Sequence, residues 1–266
     1  MTAPSSARPR AAITGASSGI GAAFARRLAA DGHDLLLVAR RRDRLEALAR
    51  ELGERHGVAS TVLAADLATE DGIRAAATAL AGRSAPSFLV HSAGFGTRAL
   101  FAELDPALPR AMNLLHVVAP VELARAALPG MLAAGRGRIL LISSLGGFFT
   151  TARYTTYSAT KAYLNMFAEG LQAELEGTGV RVQAICPGLT RTGFLDTPAY
   201  AEFKYQDVPA SFWMTAEEVV EQALASRATI FVPGRHNRLL VHAIRAPLLG
   251  PALRRLLRVA NRKGLY

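Results

Sequence analysis

Tyr157 and Lys161, in the stretch YSATK, stand four residues apart in a segment compatible with a helix. That spacing stacks two side chains on one helix face and brings an ammonium close to a phenol. A nearby positive charge favours phenolate and draws a tyrosine pKa from about 10 towards the range of an acid/base catalyst. Tyr154 and Tyr163 have Ser158 and Phe167 at their own i+4 positions, so neither has a cation placed to act in this way. On spacing alone the pair is unspecific. Its meaning comes from what precedes it.

The elements that must position such a pair begin near the N-terminus. Residues 10–14 read as a short buried strand, followed by TGASSGIG (Thr14 to Gly21) and the helix-like run AAFARRLAADG. Gly15, Gly19 and Gly21 bracket a turn that also holds Ser17, Ser18 and Ile20. Glycine permits left-handed torsions and lets a ligand approach with no Cβ in the way. The helix that follows offers unpaired N–H groups and a positive dipole end to a phosphate. The spacing is G-x-x-x-G-x-G, not the G-x-G-x-x-G of the common dinucleotide fingerprint. Between a strand and a helix, such a turn points to nucleotide binding.

Further along, apolar runs alternate with helical patterns. Strand-like runs occupy 33–39, 60–66, 87–93, 138–144, 180–186 and 229–234, and helix-like segments lie near 41–56, 69–82, 106–135, 152–177 and 215–227. Alternation of this kind, with near-continuous apolar strands, predicts an α/β fold: a doubly wound, Rossmann-type parallel sheet with helices on both faces. A length of 266 residues, half of them hydrophobic, suits one such domain with an ample core. We place that domain at 1–234 and a basic, helical C-terminal extension at 235–266.

Read in order, TGASSGIG, Asp66-Leu67, HSAG (His91 to Gly94), the serine of ISSLGG, YSATK and PGLTRT (Pro187 to Thr192) resemble the short-chain dehydrogenase/reductase family over about residues 8 to 234. The resemblance implies that hydride passes between a nicotinamide cofactor and a carbonyl carbon. Tyr157 then gives its proton to the developing alkoxide and Ser144 hydrogen-bonds the same oxygen. Lys161 lowers the tyrosine pKa and bonds the nicotinamide ribose. Ser144 is preferred to Ser143 because it lies 13 residues before Tyr157, the family's usual separation. It further implies that Asp66 and Leu67 place the adenine, that Ala93 and Gly94 pass close under the adenine-side ribose, and that Pro187, Gly188, Thr190 and Thr192 belong to the stretch holding the carboxamide. A homodimer or homotetramer through the long central helices follows from the same resemblance.

The second strand decides the cofactor. In this fold an acid at its end bonds the ribose 2′-OH and selects NAD(H). Here the strand ends LLLVARRRDRL, with Arg40, Arg41 and Arg42 at the turn. A guanidinium grips a 2′-phosphate with two parallel charged hydrogen bonds. NADP(H) is therefore expected, with Arg40 as the first choice, Arg41 next, and Ser17 or Ser18 assisting.

Two residues depart from the family's pattern. Aligning LPGM (128–131) and the preceding HVVAPVELARAA puts His116 where the family carries a fourth catalytic residue, an asparagine; Asn113 would need a shifted register. His91 likewise replaces the first asparagine of N-N-A-G. Imidazole both donates and accepts hydrogen bonds, so His116 can keep the structural role; it also reads simply as a core histidine bonded to a nearby carbonyl. A second reading has it titrate near neutral pH and alter the proton relay.

The irregular, proline-broken segment up to Met214 holds Phe194, Leu195, Tyr200, Phe203, Tyr205, Phe212 and Trp213. Lying where the family carries its substrate lid, these predict an apolar pocket for a hydrophobic carbonyl or alcohol. Residues 235–266 hold eight Arg/Lys and no Asp/Glu, leaving 23 basic against 21 acidic residues elsewhere. Leu253, Leu256, Leu257 and Ala260 share one helical face and Arg254, Arg258 and Arg262 another; Leu239, Leu240 and Ile244 give a shorter apolar face. A basic amphipathic helix suits an anionic membrane surface; the competing reading packs it on the protein with its arginines in water. Stacking aromatics do not interleave with the charge, which argues against nucleic acid. No His/Cys cluster has metal-ligand spacing, no apolar run reaches 18 residues, and the leader MTAPSSARPR lacks a hydrophobic core. The single cysteine, Cys186, reads as a small core residue and fits a reducing cytoplasm.

Three activities compete: an NADP(H)-dependent reductase/dehydrogenase for a lipid-like carbonyl or alcohol, a 3-oxoacyl-carrier-protein reductase, and a non-catalytic NADP-binding module. Replacing Tyr157 by Phe is expected to lower turnover by about 10²–10⁴-fold with cofactor affinity nearly unchanged. Steady-state kinetics beside calorimetry check this, and a fully active variant would remove Tyr157 from the reaction.

Overall fold

The computed structural model describes residues 8–81, 86–201, 208–247, 250–253 and 255. Phe203, Tyr205 and most of the second half of the C-terminal extension (Arg254, Leu256, Leu257, Arg258, Ala260, Arg262) lie outside the described residues.

Strands β1 (Arg10–Thr14), β2 (Asp34–Ala39), β3 (Ser60–Ala64), β4 (Phe88–His91), β5 (Gly137–Ile142) and β6 (Val180–Ile185) alternate with α1 (Gly19–Ala30), α2 (Arg42–His56), α3 (Glu70–Ala81), α4 (Ala107–Asn113), α5 (Ala119–Ala133) and α6 (Thr155–Glu174). After them come the short pair β7 (Thr190–Arg191) and β8 (Met214–Thr215), then α7 (Ala216–Ala225), β9 (Ile230–Phe231) and α8 (Arg235–Arg245). The main sheet is parallel throughout, in the order β3-β2-β1-β4-β5-β6-β9. Its direction of winding reverses between β1 and β4, and ligands of such sheets bind at that switch point, beyond the carboxyl ends of the strands.

The strands are apolar on both sides because both faces are covered. Ala11, Ile13, Leu35, Leu37, Leu140 and Ile142 join the core beneath α1, α2 and α7. Their neighbours Ala12, Leu36, Val38, Ile139 and Leu141 join the other core, beneath α3, α5 and α6. Residues alternate sides because successive strand side chains point to opposite faces.

The helix before β5 is continuous from Ala107 to Ala133 but contains a π-helical turn over Leu114–Val118. Pro120 accounts for it. A proline has no N–H to give, so an α-helical pattern would leave the His116 carbonyl without a donor. The register widens instead, and Ala119 N–H reaches back to Leu114 O. By length and composition this helix would also be apolar enough to cross a bilayer, with mean hydropathy 1.2. Here it is a core helix: Leu115, Ala119, Leu123, Ala124, Ala127 and Met131 are buried against α3, α6 and the sheet.

The first half of the C-terminal extension follows the packed reading. Asn237, Val241 and Ile244 of α8 face the body of the protein, and Leu239 is 71% exposed. The apolar face formed by Val241 and Ile244 is therefore used by the protein itself.

Candidate active site at the carboxyl edge of the sheet

The dinucleotide-site motifs singled out in the sequence reach the carboxyl edge of the sheet. The glycine turn follows β1, Arg40 and Arg41 follow β2, and Asp66 and Leu67 follow β3. Ala93 and Gly94 follow β4, Ser144 follows β5, and Pro187 to Thr192 follow β6.

The turn after β1 is a tight cradle. Gly15 and Gly19 have φ of +66° and +55°, a region that favours glycine. A Cβ on Gly15 would lie 2.7 Å from Ala93 N, and one on Gly21 would lie 2.4 Å from Gly15 O. Thr14 fastens the turn to the β4 loop, its Oγ1 accepting the N–H groups of Ser92 and Ala93 at 3.1 Å each. Gly19 abuts Thr192, whose Cβ would be 3.0 Å from an added methyl group. The N-terminus of α1 carries no acid in its first turn, and its cap, Ser18, accepts no backbone N–H through its side chain. Instead Arg41 Nη2 donates to Ser17 Oγ at 2.8 Å and Ser18 Oγ at 2.9 Å. Arg41, rather than the expected first choice Arg40, is thus the guanidinium brought to the turn. Burial and the neighbouring Arg44 and Arg40 pull its pKa down, and an anion there would relieve that repulsion. An open helix N-terminus, two hydroxyls and a guanidinium fit a phosphate-bearing dinucleotide.

Opposite the cradle stand Ser144, Tyr157 and Lys161. Ser143 and Ser144 have different tasks. Ser143 Oγ is buried and donates to Lys161 O at 2.9 Å. Ser144 Oγ accepts from Gly146 N at 3.0 Å, and its side chain is near enough to Tyr157 to favour the phenolate. Lys161 Nζ lies 5.6 Å from the Tyr157 ring centre and donates to Ile142 O at 2.8 Å. The expectation that this lysine lowers the tyrosine pKa is not met. Burial pushes Tyr157 up to about 12, with the Ser144 side chain opposing. The same burial pushes Lys161 down to about 8. Desolvation of the buried phenol is the largest effect on Tyr157 and sets the direction of its shift. Tyr157 is thereby held as the neutral phenol, the form able to donate a proton.

The histidines complete the frame, and their tautomers follow from their partners. Phe95 N–H donates to His116 Nε2 at 3.2 Å, so Nδ1 carries the proton and gives it to Thr160 Oγ1 at 2.9 Å. Thr160 Oγ1 in turn donates to Tyr157 O at 2.8 Å. His91 Nε2 lies 3.0 Å from Leu115 O and must be its donor; His91 Nδ1 then accepts from Thr14 Oγ1 at 3.1 Å. The Leu115 carbonyl needs this bond. Ala119 N–H is taken by Leu114 O, and Pro120, next in the π register, has no N–H. Both rings are buried. Burial, with Lys161 nearby, lowers His91 to about 3 and His116 well below its usual value. Titration of His116 near neutral pH is therefore overturned: it binds a hydroxyl and an amide as a neutral ring. Thr160 and Thr14 were not singled out in the sequence, although Thr160 lies one helical turn past Tyr157.

Phe194 and Tyr200 form the lid over Tyr157, with ring centres 6.0 Å (Tyr157–Phe194) and 5.8 Å (Phe194–Tyr200) apart. Tyr154 stacks on Tyr200 at 6.4 Å, and Gly96 leaves room for the Tyr200 hydroxyl, which would sit 2.0 Å from a Cβ there. Leu195 is half-buried. Trp213 instead lies under Arg191, and Phe212 is exposed against His236. Cys186 is wholly buried and pushed up to about 12 by desolvation, an inert thiol. Asn237 of α8 supports the loop after β6: a Cβ on Gly188 would meet its Oδ1 at 2.7 Å. No group of three or more His, Cys, Asp or Glu side chains suited to a metal occurs among the described residues.

The sequence model of a family described as short chain dehydrogenase matches residues 9–199. An uncharacterized oxidoreductase, YmfI, of Bacillus subtilis (strain 168) is 32% identical over 230 residues, covering 85% of this chain and 94% of that protein. The very-long-chain 3-oxoacyl-CoA reductase of Anas platyrhynchos is 34% identical over 186 residues; the match covers 66% of this chain and 58% of that protein. A solved short-chain dehydrogenase from Sphingobium yanoikuyae in complex with NADPH is 35% identical, with a TM-score of 0.79, covering 86% of this chain and 89% of that one.

The buried neutral histidines give a pH dependence of stability. Both folded pKa values lie below the usual 6.5, so below pH 6.5 the unfolded chain takes up protons that the folded chain excludes. Stability should therefore fall with pH by about 1.4 kcal/mol per unit for each ring. Urea unfolding between about pH 6 and 5 measures this slope, which His91→Asn should reduce by one proton's worth. An unchanged slope in that variant would show that His91 titrates freely.

Proposed function

The chain belongs to the short-chain dehydrogenase/reductase family, oxidoreductases acting on CH–OH groups, and on that premise we propose that it interconverts a carbonyl and an alcohol on a hydrophobic, lipid-like substrate with NADP(H). The observation that carries this reading is the buried, neutral Tyr157 phenol beside Ser144 and Lys161, under aromatic Phe194 and beside a cradle topped by Arg41.

Gly15, Ser17, Ser18, Gly19, Ile20 and Gly21 hold the cofactor's phosphates, with Arg41 and then Arg40 on the 2′-phosphate. Asp66, Leu67, Ala93 and Gly94 frame the adenosine half. Lys161 and the loop of Pro187, Gly188, Thr190 and Thr192 frame the nicotinamide half. Bound there, NADPH supplies hydride to a carbonyl carbon. Tyr157 gives its phenol proton to the carbonyl oxygen as negative charge develops, and Ser144 donates a hydrogen bond to the same oxygen. His116 acts as a positioning residue, fixing the first turn of α6 through Thr160. Oxidation of the alcohol is the reverse path.

Phe194 and Tyr200 favour an apolar substrate, and a very-long-chain 3-oxoacyl-CoA reductase among the relatives supports a fatty chain. Exposed Val118, Tyr163 and Met166 on the π-helical turn and α6 favour a homodimer or homotetramer through these helices. We read the protein as cytoplasmic, residues 1–234 as its catalytic domain and 235–266 as a basic extension that packs on it through α8, its arginine-rich end serving peripheral contact with an anionic membrane.

The test is NADPH oxidation across ketones, aldehydes and acyl thioesters of graded chain length, beside NADPH and NADH binding. Turnover should rise with chain length. Arg41→Ala should weaken NADPH by about tenfold or more, the loss of one charge-assisted contact, and leave NADH little changed. Tight NADPH binding with no turnover on any carbonyl would favour the non-catalytic module instead.

A further inference from the structure

At the opposite edge of the sheet, where β5 and β6 begin, lies a cleft of about 480 Å³ whose walls include Arg136, Arg138, Arg181 and Arg227 and no Asp or Glu. Six-residue strands set it about 20 Å from the catalytic edge. Its volume falls in the range of small-molecule sites.

The charges in it are built into the fold. Arg138 and Arg181 are direct partners in the β5–β6 ladder, and like charges facing each other across a sheet are destabilising. Arg138 cannot swing away. Its guanidinium lies over Phe88 at 5.5 Å and donates to Leu224 O, Ala223 O and Ser226 O at 3.2–3.4 Å, which also satisfies the carbonyl end of α7. Arg136, Arg181 and Arg227 are exposed around it. None of the four takes part in an ion pair among the described residues, whereas Arg26, Arg27, Arg42 and Arg74 each meet a carboxylate. Burial and, after it, Arg181 pull the Arg138 pKa down. Four guanidinium groups around a concave surface match the oxygens of a phosphate, which arginine grips with paired hydrogen bonds.

We propose that this cleft binds a small, multiply charged, phosphate-bearing anion at a site separate from the dinucleotide cradle. Arg138, its Nη groups held by the α7 carbonyls, supplies a fixed positive charge, and Arg136, Arg181 and Arg227 close on the ligand from the rim.

Pyrophosphate titrated calorimetrically into the NADPH-saturated full-length protein, at ionic strength held constant with NaCl, provides the test. Saturable binding is expected. Arg181→Ser/Arg227→Ser should weaken it by about 100-fold, the loss of two charge-assisted hydrogen bonds, while its NADPH affinity stays unchanged and so reports an intact fold. Arg41→Ala, altered at the other anion cradle, should still bind pyrophosphate, which separates this site from the cofactor reading. Absence of saturable binding, equal binding by the double variant, or the same response to added NaCl would overturn the proposal. So would binding to phosphatidylglycerol vesicles that the double variant loses when pyrophosphate itself does not bind, since the cleft would then serve a lipid surface.

Discussion

Pro120 removes one N–H from the middle of the longest apolar helix, and the active site is arranged around that loss. The helix widens into a π turn, Ala119 bonds Leu114 O, and the Leu115 carbonyl is left inside the protein with no backbone donor in reach along its own helix. An unpaired buried carbonyl costs about 1–3 kcal/mol. His91 supplies the missing hydrogen from the end of β4 and takes one from Thr14 at the end of β1. A single imidazole thereby ties the two strands flanking the switch point to the helix that carries His116. Thr14 extends the link to Ser92 and Ala93, so the walls of the dinucleotide cradle and the π turn share one hydrogen-bonded frame.

The second consequence is electrostatic. His116, one residue past Leu115, spends both nitrogens on Phe95 and Thr160 and has no lone pair or proton left for the lysine. Burial depresses both histidines, and the Lys161 ammonium beside them adds to the effect. The site thus holds neutral phenol, neutral imidazoles and one ammonium anchored to Ile142 O. Such an arrangement is set for donating a proton from Tyr157.

The C-terminal extension also serves the site. α8 looked in sequence like a helix with an apolar face to spare. Its buried residues include an asparagine, and that asparagine underlies Gly188 in the loop after β6 while bonding Pro233 O at 2.9 Å. Arg245 reaches over Phe148, beside the Ser144 turn, at 5.9 Å. Removing α8 would uncover the floor of the loop proposed to meet the nicotinamide.

What the sequence determined by itself is local and periodic. Alternating apolar runs require a sheet covered on both faces, because only that geometry buries consecutive strand residues such as Leu35, Leu36 and Leu37. The glycines after β1 mark a tight turn between strand and helix, and the four-residue spacing of Tyr157 and Lys161 puts them on one helix face. Tertiary structure alone decided which arginine turns to the glycine cradle, since adjacent residues at a strand end point in different directions and only Arg41 meets Ser17 and Ser18. It also decided the sign of the Tyr157 shift. Spacing gives the distance to a charge, whereas burial comes from every element packed around the ring, and here burial is the larger effect. The roles of His91 and Thr160 were hidden for the same reason: their partners lie 24 and 44 residues away in the chain, and only the fold brings a proline's missing hydrogen and a histidine's spare one together.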